Sequence, residues 1–315
     1  MPGMQRERSG SGPPTKHRFE AGAAPELAEC QSWPAEHLEI GGVRTFVTRA
    51  GAGRPLLLLH GCSVAVDARL TWFRTLLKAA QYAEAFTYDQ PGFGRSAMPS
   101  PLELPDRLRR AQHAAALIDH LGLRDVCVVG HSEGGFMAAW LAIHRPAHVR
   151  SLVIVASGGT APSLGDARDL DWQAASRRTY DYSVRTRSED VFIATEPRLA
   201  NDSDLAFETL LRGNYREAQH SGNLEMFLRR ARTTGDYSDY AGLQERELFP
   251  HLEKVAAPTL LVWGGDDPTV PVERGLALAD RMPTSELHVF PRAGHWVMHD
   301  EPDGFNRLLE GWLCL

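Results

Sequence analysis

Short apolar runs recur along the chain and are separated by longer polar segments. The segment PLLLLH, residues 55–60, is almost wholly apolar and precedes Gly61, which is typical of a strand buried on both faces of a sheet. Similar runs occupy residues 85–88, 126–129, 152–155, 259–263 and 287–290. These runs predict the strands of one buried sheet.

Helical periodicity lies between several of these runs. In segment 104–121 the apolar residues fall at positions 108, 111, 114, 115, 117, 118 and 121, which predicts one apolar helix face, and Gly122 is a stop signal. Strands that alternate with helices predict an α/β fold, with a mostly parallel sheet and helices on both faces. Nearer the amino terminus, Gly41 and Gly42 separate two alternating segments and predict a β-hairpin.

Two parts of the chain lack this alternation. Residues 1–34 are rich in Gly, Pro, Ser and charge and have no periodic apolar face, which predicts a flexible amino-terminal tail. Residues 160–257 carry polar, helix-like stretches with many aromatic residues but no short apolar run. An insertion of this kind between two strands predicts a helical cap above a core formed by residues 35–159 and 258–315.

Composition excludes several classes of protein. The 315 residues carry a formal charge of −6, which argues against a nucleic-acid partner because such proteins present a basic face. No stretch approaches the ~18 apolar residues of a membrane helix, and the amino terminus lacks the apolar centre of a signal peptide. We expect a cytoplasmic protein that acts on a small molecule without a membrane partner. A homo-oligomer is compatible with this composition.

Cysteine, histidine and glycine spacings give no sign of a metal or a cofactor. The cysteines at positions 30, 62, 127 and 314 form no CxxC pair, so we expect free thiols in a reducing compartment. No group of histidines and carboxylates has the spacing of metal ligands, and the glycines do not form a dinucleotide fingerprint. We therefore expect neither a metal nor an organic cofactor.

The sequence GHSEG at residues 130–134 follows a predicted strand and precedes a predicted helix. A G-x-S-x-G sequence in this position is typical of a nucleophile elbow, where a sharp turn exposes the serine hydroxyl at the carboxyl edge of the sheet. The following helix also directs its positive end towards a developing anion. Ser132 is therefore the candidate nucleophile.

A serine hydroxyl needs a base, and the base needs a carboxylate that orients it. In proteins with such an elbow the acid and then the histidine follow the serine along the chain. Asp266 and Asp267 come directly after a late predicted strand, and His295 follows the next strand beside Gly294. His299, four residues further on, is the rival base.

Two backbone amides must bind the anion that forms when a carbonyl is attacked. One belongs to Glu133, the residue after the candidate nucleophile. The other is expected in the loop after the 55–60 strand, where Cys62 follows a His-Gly pair. Cys62 is selected here for its amide, and its thiol is not needed as a second nucleophile.

With these motifs together, residues 38–313 resemble the α/β-hydrolase superfamily. The resemblance is carried by HG at 60–61, DQPGFGRS at 89–96, GHSEGG at 130–135, GGDDPTVP at 264–271 and GHW at 294–296. The carboxyl-terminal third most resembles the meta-cleavage product hydrolases, which cleave carbon–carbon bonds in ring-fission products of aromatic compounds. This resemblance implies that Asp267 is the acid, His295 the base and Trp296 an aromatic neighbour of the substrate.

The chain departs from that family at three binding positions. The asparagine that usually precedes the nucleophile is His131, and a second pocket asparagine is Thr71. The cap arginine that binds the substrate carboxylate in the family falls on Asn214, with Arg212 and Arg216 on either side. Residues two apart on a helix point to different faces, so a flanking arginine replaces the family's arginine only if the cap backbone shifts.

These observations favour a serine hydrolase and leave its substrate open. The carboxyl-terminal resemblance favours carbon–carbon bond hydrolysis, whereas the missing arginine favours hydrolysis of an ester or lactone. Dehalogenase and epoxide hydrolase chemistry requires an aspartate at the position of Ser132, and a cofactor-free oxygenase needs mainly the His–Asp pair. A protein that binds a ligand without turnover is the alternative from another class, although complete catalytic machinery gives no physical reason for it.

Overall fold

The computed structural model describes residues 27–30, 32–99, 103–179, 181–196, 204–233 and 238–314. The strands in these segments are β1 (Ala35–Ile40), β2 (Val43–Gly51), β3 (Arg54–Leu59), β4 (Ala83–Tyr88), β5 (Val126–His131), β6 (Val149–Val155), β7 (Thr259–Gly264) and β8 (Ser285–Phe290). They form one sheet of eight described strands in the order β1-β2-β4-β3-β5-β6-β7-β8.

The sheet is mostly parallel, as predicted. Strand β2 pairs antiparallel with β1 and β4, and the five remaining pairings, from β4–β3 to β7–β8, are parallel. The β1–β2 connection is the predicted hairpin. Gly41 and Gly42 both have positive φ angles, of 57° and 80°, which the favoured two-residue hairpin turn requires and which glycine adopts without steric cost.

Helices connect the strands and form the insertion. In chain order they are α1 (Ala68–Ala79), α2 (Arg107–His120), α3 (Glu133–His144), α4 (Ala167–Thr179), α5 (Tyr182–Arg185), α6 (Glu189–Thr195), α7 (Leu205–His220), α8 (Asn223–Thr233), α9 (Ser238–Glu247), a 3₁₀ turn (Leu252–Lys254), α10 (Val272–Ala279), α11 (Val297–Asp300) and α12 (Pro302–Leu313). None of the described helices is long and apolar enough to span a membrane.

Both faces of the sheet are buried, which explains the continuous apolar runs. In β3, Leu56 and Leu58 belong to one apolar cluster, and Leu57 and Leu59 belong to a second cluster on the opposite face. All four side chains are fully buried. Helices α1 and α12 cover the first face, while α2 and α3 cover the second. This arrangement confirms the predicted α/β-hydrolase fold class.

Parts of the predicted tail and of the predicted cap contact the core in the structure. Most of residues 1–34 lies outside the described residues, but 27–30 are helical and Cys30 is buried, with its thiol near the carbonyl oxygen of Phe73. This part of the predicted tail therefore packs on the core. At the carboxyl-terminal end of the predicted cap, Leu248 and Leu252 are buried in the second apolar cluster. The end of segment 160–257 therefore packs with α2 and α3 on the second face of the sheet.

The insertion between β6 and β7 is attached to the core by a buried ion pair. Asp169 on α4 accepts hydrogen bonds from the Arg274 guanidinium on α10, at 2.7 and 3.1 Å, and both side chains are almost fully buried. The same guanidinium lies over the Trp172 ring, 4.0 Å from its centroid. One arginine therefore joins α4 to the core by charge and by ring contact.

We predict that Asp169→Asn lowers the free energy of unfolding by about 3 kcal/mol, because it leaves the buried Arg274 without a counter-charge. Asp166→Asn is the matched control, since Asp166 lies in the same turn and pairs at the surface with Arg168, where ion pairs contribute little. Chemical unfolding of both variants provides the measurement. Equal midpoints for the two variants would contradict the role given to the buried pair.

Candidate active site

Ser132 lies at a sharp turn between β5 and α3. Its φ angle is +53°, a region that side-chain-bearing residues adopt at a cost of about 1–3 kcal/mol. The turn is also closely packed: a side chain at Gly130 would overlap the Gly134 carbonyl oxygen, and one at Gly134 would overlap the Leu59 carbonyl oxygen. Small residues at 130 and 134 thus allow α3 to approach the sheet, and the serine occupies the apex of the turn.

Hydrogen bonds from the neighbouring strand support this turn. The Ser132 amide donates to the Val155 carbonyl oxygen at 2.9 Å, and the Ser157 hydroxyl donates to the Ser132 carbonyl oxygen at 2.6 Å. Thr160 in turn donates to the Ser157 hydroxyl at 2.6 Å. Sequence reasoning missed Ser157; its one signal is its place just after β6, the neighbour of β5.

Asp267 and His295 meet on the loops that follow β7 and β8. Both side chains are buried, and the His295 Nδ1–H donates to Asp267 Oδ2 at 2.9 Å. Asp267 Oδ1 accepts the amides of Thr269 and Val270 at 2.7 and 2.9 Å, which fixes the carboxylate. With its proton on Nδ1, the imidazole keeps Nε2 as an acceptor, the form required of a general base. The structure thus distinguishes Asp267 from the exposed Asp266.

His131 connects the serine turn to the loop that carries His295. Its Nε2–H donates to the His295 carbonyl oxygen at 2.9 Å, and the two imidazole centroids are 4.7 Å apart. The His131 ring also contacts the Trp296 ring, with centroids 4.8 Å apart. Burial and the neighbouring His295 lower the pKa of His131 well below its usual value, so this ring is neutral at pH 7.

The rival base, His299, is bonded elsewhere. Its Nε2–H donates to the Leu70 carbonyl oxygen at 2.9 Å, and its ring stacks on Phe73 with centroids 5.1 Å apart. Burial and the charge of Arg74 lower the pKa of His299 to about 3. A group with that pKa is a poor proton acceptor at neutral pH, which leaves His295 as the candidate base.

Cys62 lies close to Glu133, the residue that follows Ser132, and the role of their amides as oxyanion donors stays a prediction. Burial and the adjacent Glu133 raise the pKa of the Cys62 thiol to about 12, so the thiol is not a nucleophile at neutral pH. Burial would raise the pKa of the Glu133 carboxyl, but Arg107 and Arg110 outweigh that effect and lower it to about 2. The residue after Ser132 therefore carries a partly buried, ion-paired carboxylate.

Comparison with known proteins supports the fold and the resemblance. The sequence model described as the alpha/beta hydrolase family matches residues 56–308.

The chain belongs to the α/β hydrolase family.

Curated relatives of this hydrolase include meta-cleavage product hydrolases. A 2-hydroxy-6-oxo-6-phenylhexa-2,4-dienoate hydrolase from Burkholderia cepacia is 28% identical over 281 residues, covering 87% of this chain and 93% of the relative. The structure of an enzyme with the same name from Rhodococcus sp. strain RHA1 superposes with a TM-score of 0.74 at 19% identity, over 90% of this chain and 99% of that one. The resemblance inferred from the motifs is thereby confirmed.

The same fold also occurs in an esterase. The esterase from Exiguobacterium antarcticum superposes on this hydrolase with a TM-score of 0.70 at 19% identity, covering 90% of this chain and the whole of that chain. Likeness at this identity establishes the fold alone. Whether this hydrolase cleaves a carbon–carbon bond or an ester bond must therefore be inferred from the residues around the site.

Aromatic side chains of the inserted helices surround the site of this hydrolase. Trp296 is buried and contacts Phe207 on α7 with ring centroids 5.1 Å apart. Tyr182 on α5 places its hydroxyl 3.4 Å from the hydroxyl of Ser63, next to Cys62, and its ring contacts Phe227 on α8. The inserted helices thus place aromatic side chains over Ser63, beside Cys62, and over Trp296.

The positions that differ from the family's binding residues have other partners in this hydrolase. The Thr71 hydroxyl donates to the Asp67 carbonyl oxygen at 2.8 Å and is fully buried. Asn214 Nδ2 donates to the Ala65 carbonyl oxygen at 3.0 Å, which ties α7 to the loop containing Cys62. These contacts fix α1 and α7, and a role for either residue in substrate binding stays a prediction.

The two arginines that flank Asn214 bind acidic side chains of the inserted helices. Arg212 donates to Glu189, Asp190 and Glu208 at 2.9–3.0 Å, and Arg216 donates twice to Glu189 at 2.6 and 2.7 Å. Both guanidinium groups are thereby neutralised on α6 and α7. These contacts do not support the prediction that either arginine binds the substrate.

No group of three or more potential metal ligands occurs among the residues that the structure describes. The expectation of a hydrolase that works without a metal or cofactor therefore rests on the chemistry of Ser132, Asp267 and His295.

We predict that Glu133 gives stability an acid-dependent component. Its folded-state pKa of about 2 lies below its ordinary value of 4.5, so the native state binds fewer protons than the unfolded chain between these values. The ion-pair stabilisation is complete above the unfolded pKa and is lost as pH falls towards 2. Relative to Glu133→Gln, the wild type should lose about 3 kcal/mol of unfolding free energy across this window.

Urea unfolding of wild type and Glu133→Gln, at neutral pH and near the folded-state pKa, measures this difference. Other carboxyl groups titrate in both proteins and cancel in the comparison. A stability difference that stays constant with pH would show that Glu133 is not ionised against Arg107 and Arg110.

Proposed function

We propose that this protein is a serine hydrolase in which Ser132, His295 and Asp267 form the catalytic triad. The observation that carries the proposal is the buried hydrogen bond from His295 Nδ1 to Asp267, on a loop bonded through His131 to the Ser132 turn. That bond orients the imidazole with Nε2 as the proton acceptor, and the strained turn presents the hydroxyl.

In the proposed reaction, His295 Nε2 takes the Ser132 proton as the serine oxygen attacks the substrate carbonyl. The resulting tetrahedral anion accepts hydrogen bonds from the Cys62 and Glu133 amides. Collapse of this anion expels the leaving group, which receives its proton from the His295 imidazolium, and leaves an acyl-enzyme. Water, deprotonated by His295, then attacks the ester and releases the carboxylic acid and Ser132.

The leading substrate class is a ring-fission product in which the leaving group is a carbon acid. Support comes from curated relatives named for dienoate substrates, among them the Burkholderia cepacia enzyme. It comes also from the carboxyl-terminal segment, which places Asp267, His295 and Trp296 at the positions of that family. For such a substrate the dienol must ketonise before the carbon–carbon bond breaks.

The second candidate is an ester or lactone, from which an alkoxide leaves. One observation favours it: Asn214 stands at the position of the family's cap arginine and is bonded to Ala65, while Arg212 and Arg216 are neutralised by carboxylates. The aromatic side chains that the described residues place around the site suit a neutral substrate. The esterase with the same fold shows that the fold accommodates this chemistry.

Replacement of Ser132 tests the triad. We predict that Ser132→Ala lowers turnover by about 10³-fold or more, because the covalent step is lost, and abolishes labelling by a fluorophosphonate probe. Ser163→Ala serves as a control, since its hydroxyl contacts Asp169 on the inserted segment. Near-wild-type turnover in a folded Ser132→Ala protein would overturn the proposed mechanism.

An arginine introduced at position 214 tests which of the two substrate classes the site accepts. We predict that Asn214→Arg raises kcat/KM about 10-fold or more for 2-hydroxy-6-oxo-6-phenylhexa-2,4-dienoate, because a charged hydrogen bond to a carboxylate contributes about 1.5–3 kcal/mol. The value for a neutral 4-nitrophenyl ester should not rise. Loss of dienoate absorbance and release of nitrophenolate are the readouts.

Asn214→Met is the matched control, because it also removes the bond to Ala65 but adds no charge. If Asn214→Arg and Asn214→Met change both substrates alike, position 214 does not select for a carboxylate.

A further inference from the structure

Both peptide groups proposed to bind the oxyanion are fixed through their carbonyl oxygens. The Cys62 amide shares a peptide with the Gly61 carbonyl, which accepts a hydrogen bond from His60 Nδ1 at 2.8 Å. The Glu133 amide shares a peptide with the Ser132 carbonyl, which accepts the Ser157 hydroxyl at 2.6 Å. Since a trans peptide is planar, holding the carbonyl oxygen also sets the direction of the N–H group.

His60 is itself held in one tautomer by Gln90. The backbone N–H of Gln90 donates to His60 Nε2 at 2.9 Å, and its side-chain Nε2 donates to the His60 carbonyl oxygen at 2.6 Å. Burial lowers the pKa of His60 to about 4, so the ring is neutral, with Nε2 accepting and Nδ1–H donating to Gly61. Gln90 therefore holds His60 at its ring and at its carbonyl oxygen, and His60 in turn bonds the peptide that bears the Cys62 amide.

Arg110 on α2 contacts both Gln90, which holds His60, and Glu133, whose amide is the second proposed donor. One terminal nitrogen donates to Gln90 Oε1 at 3.0 Å, and the other forms a close ion pair with the Glu133 carboxylate. The Arg110 side chain is almost fully buried. A planar guanidinium with its donors in a fixed fork holds two acceptors in one relative position, which the single point charge of lysine cannot do.

We propose that Arg110 is a positioning residue that fixes the two oxyanion amides relative to each other, one through Gln90 and His60 and the other through Glu133. The inference rests on the proposed function, because the two amides matter only if a tetrahedral anion forms at Ser132. Arg110 does not touch that anion; it acts on the backbone that does. Its contribution should therefore appear in the transition state and not in binding of the substrate.

Arg107 provides the matched control. It is buried on the same helix and donates to Glu133 Oε1 at 3.2 Å, so Arg107→Met also removes a positive charge beside Glu133. The contact between Arg110 and Gln90 survives in that variant. The difference in kcat between Arg110→Met and Arg107→Met then measures the bridge from Gln90 through Arg110 to Glu133, and not the loss of a positive charge beside Glu133.

The test measures kcat and KM for a 4-nitrophenyl ester, and the inhibition constant of an aryl trifluoromethyl ketone that forms a tetrahedral adduct with serine. In Arg110→Met we expect kcat to fall about 10- to 100-fold, less than the roughly 10²–10³-fold cost of removing an oxyanion donor outright, with KM changed less than about twofold. The ketone should bind more weakly by the same factor as kcat. Arg107→Met should lose less than about fivefold in kcat.

Arg110→Lys distinguishes position from charge, since it retains the charge but not the fork. We expect it to remain close to Arg110→Met, and recovery of wild-type kcat in Arg110→Lys would overturn the proposal. Equal kcat in Arg110→Met and Arg107→Met, or weaker substrate binding without weaker ketone binding, would also overturn it.

Gln90→Met tests the same bridge from its other end, and it takes the place of Arg110→Met if that variant does not fold. It should reproduce the loss of kcat and of ketone affinity with little change in KM, and wild-type values for both would overturn the proposal. Ser132→Ala distinguishes this failure from failure of the proposed function. If Ser132→Ala remains active, the proposed triad is wrong. If Ser132→Ala is inactive while Arg110→Met and Gln90→Met are fully active, only the role given to Arg110 is refuted.

Discussion

The left-handed backbone at Ser132 is the constraint on which the rest of the site depends. A serine with φ of +53° persists only where its surroundings leave the chain no better alternative. Those surroundings are the sheet, which is buried on both faces, and the glycines at 130 and 134, which let α3 lie against β3 and β5. Bonds from Val155 and Ser157 then hold the turn from the neighbouring strand.

The ion pairs of Glu133 with Arg107 and Arg110 are the second constraint on the site. In the proposed mechanism they position the backbone around Ser132 more than they add to the net stability of the fold. Removing Glu133, Arg107 and Arg110 from water is costly, and their mutual attraction repays that cost only with good hydrogen-bond geometry. In the proposed reaction, Arg110 supplies a fixed frame behind the two amides through its contacts with Gln90 and Glu133. Groups already in position need not reorganise when charge develops, which is the main source of electrostatic catalysis.

Local pattern was sufficient to predict the strands, the hairpin and the elbow, because each depends on residues adjacent in sequence. The rule that acid and histidine follow the serine along the chain pointed to Asp266 or Asp267 and to His295. Contacts across the fold had no such signal: His131 meets the His295 carbonyl 164 positions away, and Asn214 meets Ala65 across 149 positions. Spacing alone left Asp266 and Asp267 equivalent; the family resemblance implied Asp267, which is the one that is buried and bonded to His295.

The attachments of the inserted helices suggest how chemistry and selectivity are divided in this hydrolase. The proposed triad and its amides stand on core strands and their loops, whereas the aromatic lining comes largely from α5, α7 and α8. Two attachments reach the loops that carry Cys62 and Asp267: Asn214 bonds to Ala65 near Cys62, and Trp172 donates to the carbonyl oxygen of Thr269, whose amide bonds Asp267. Because these attachments use backbone oxygens of the core, other side chains of the inserted helices can vary without disturbing the proposed triad. The proposed replacement of the family's cap arginine by Asn214 would then alter which substrate is bound and leave the proposed reaction at Ser132 unchanged.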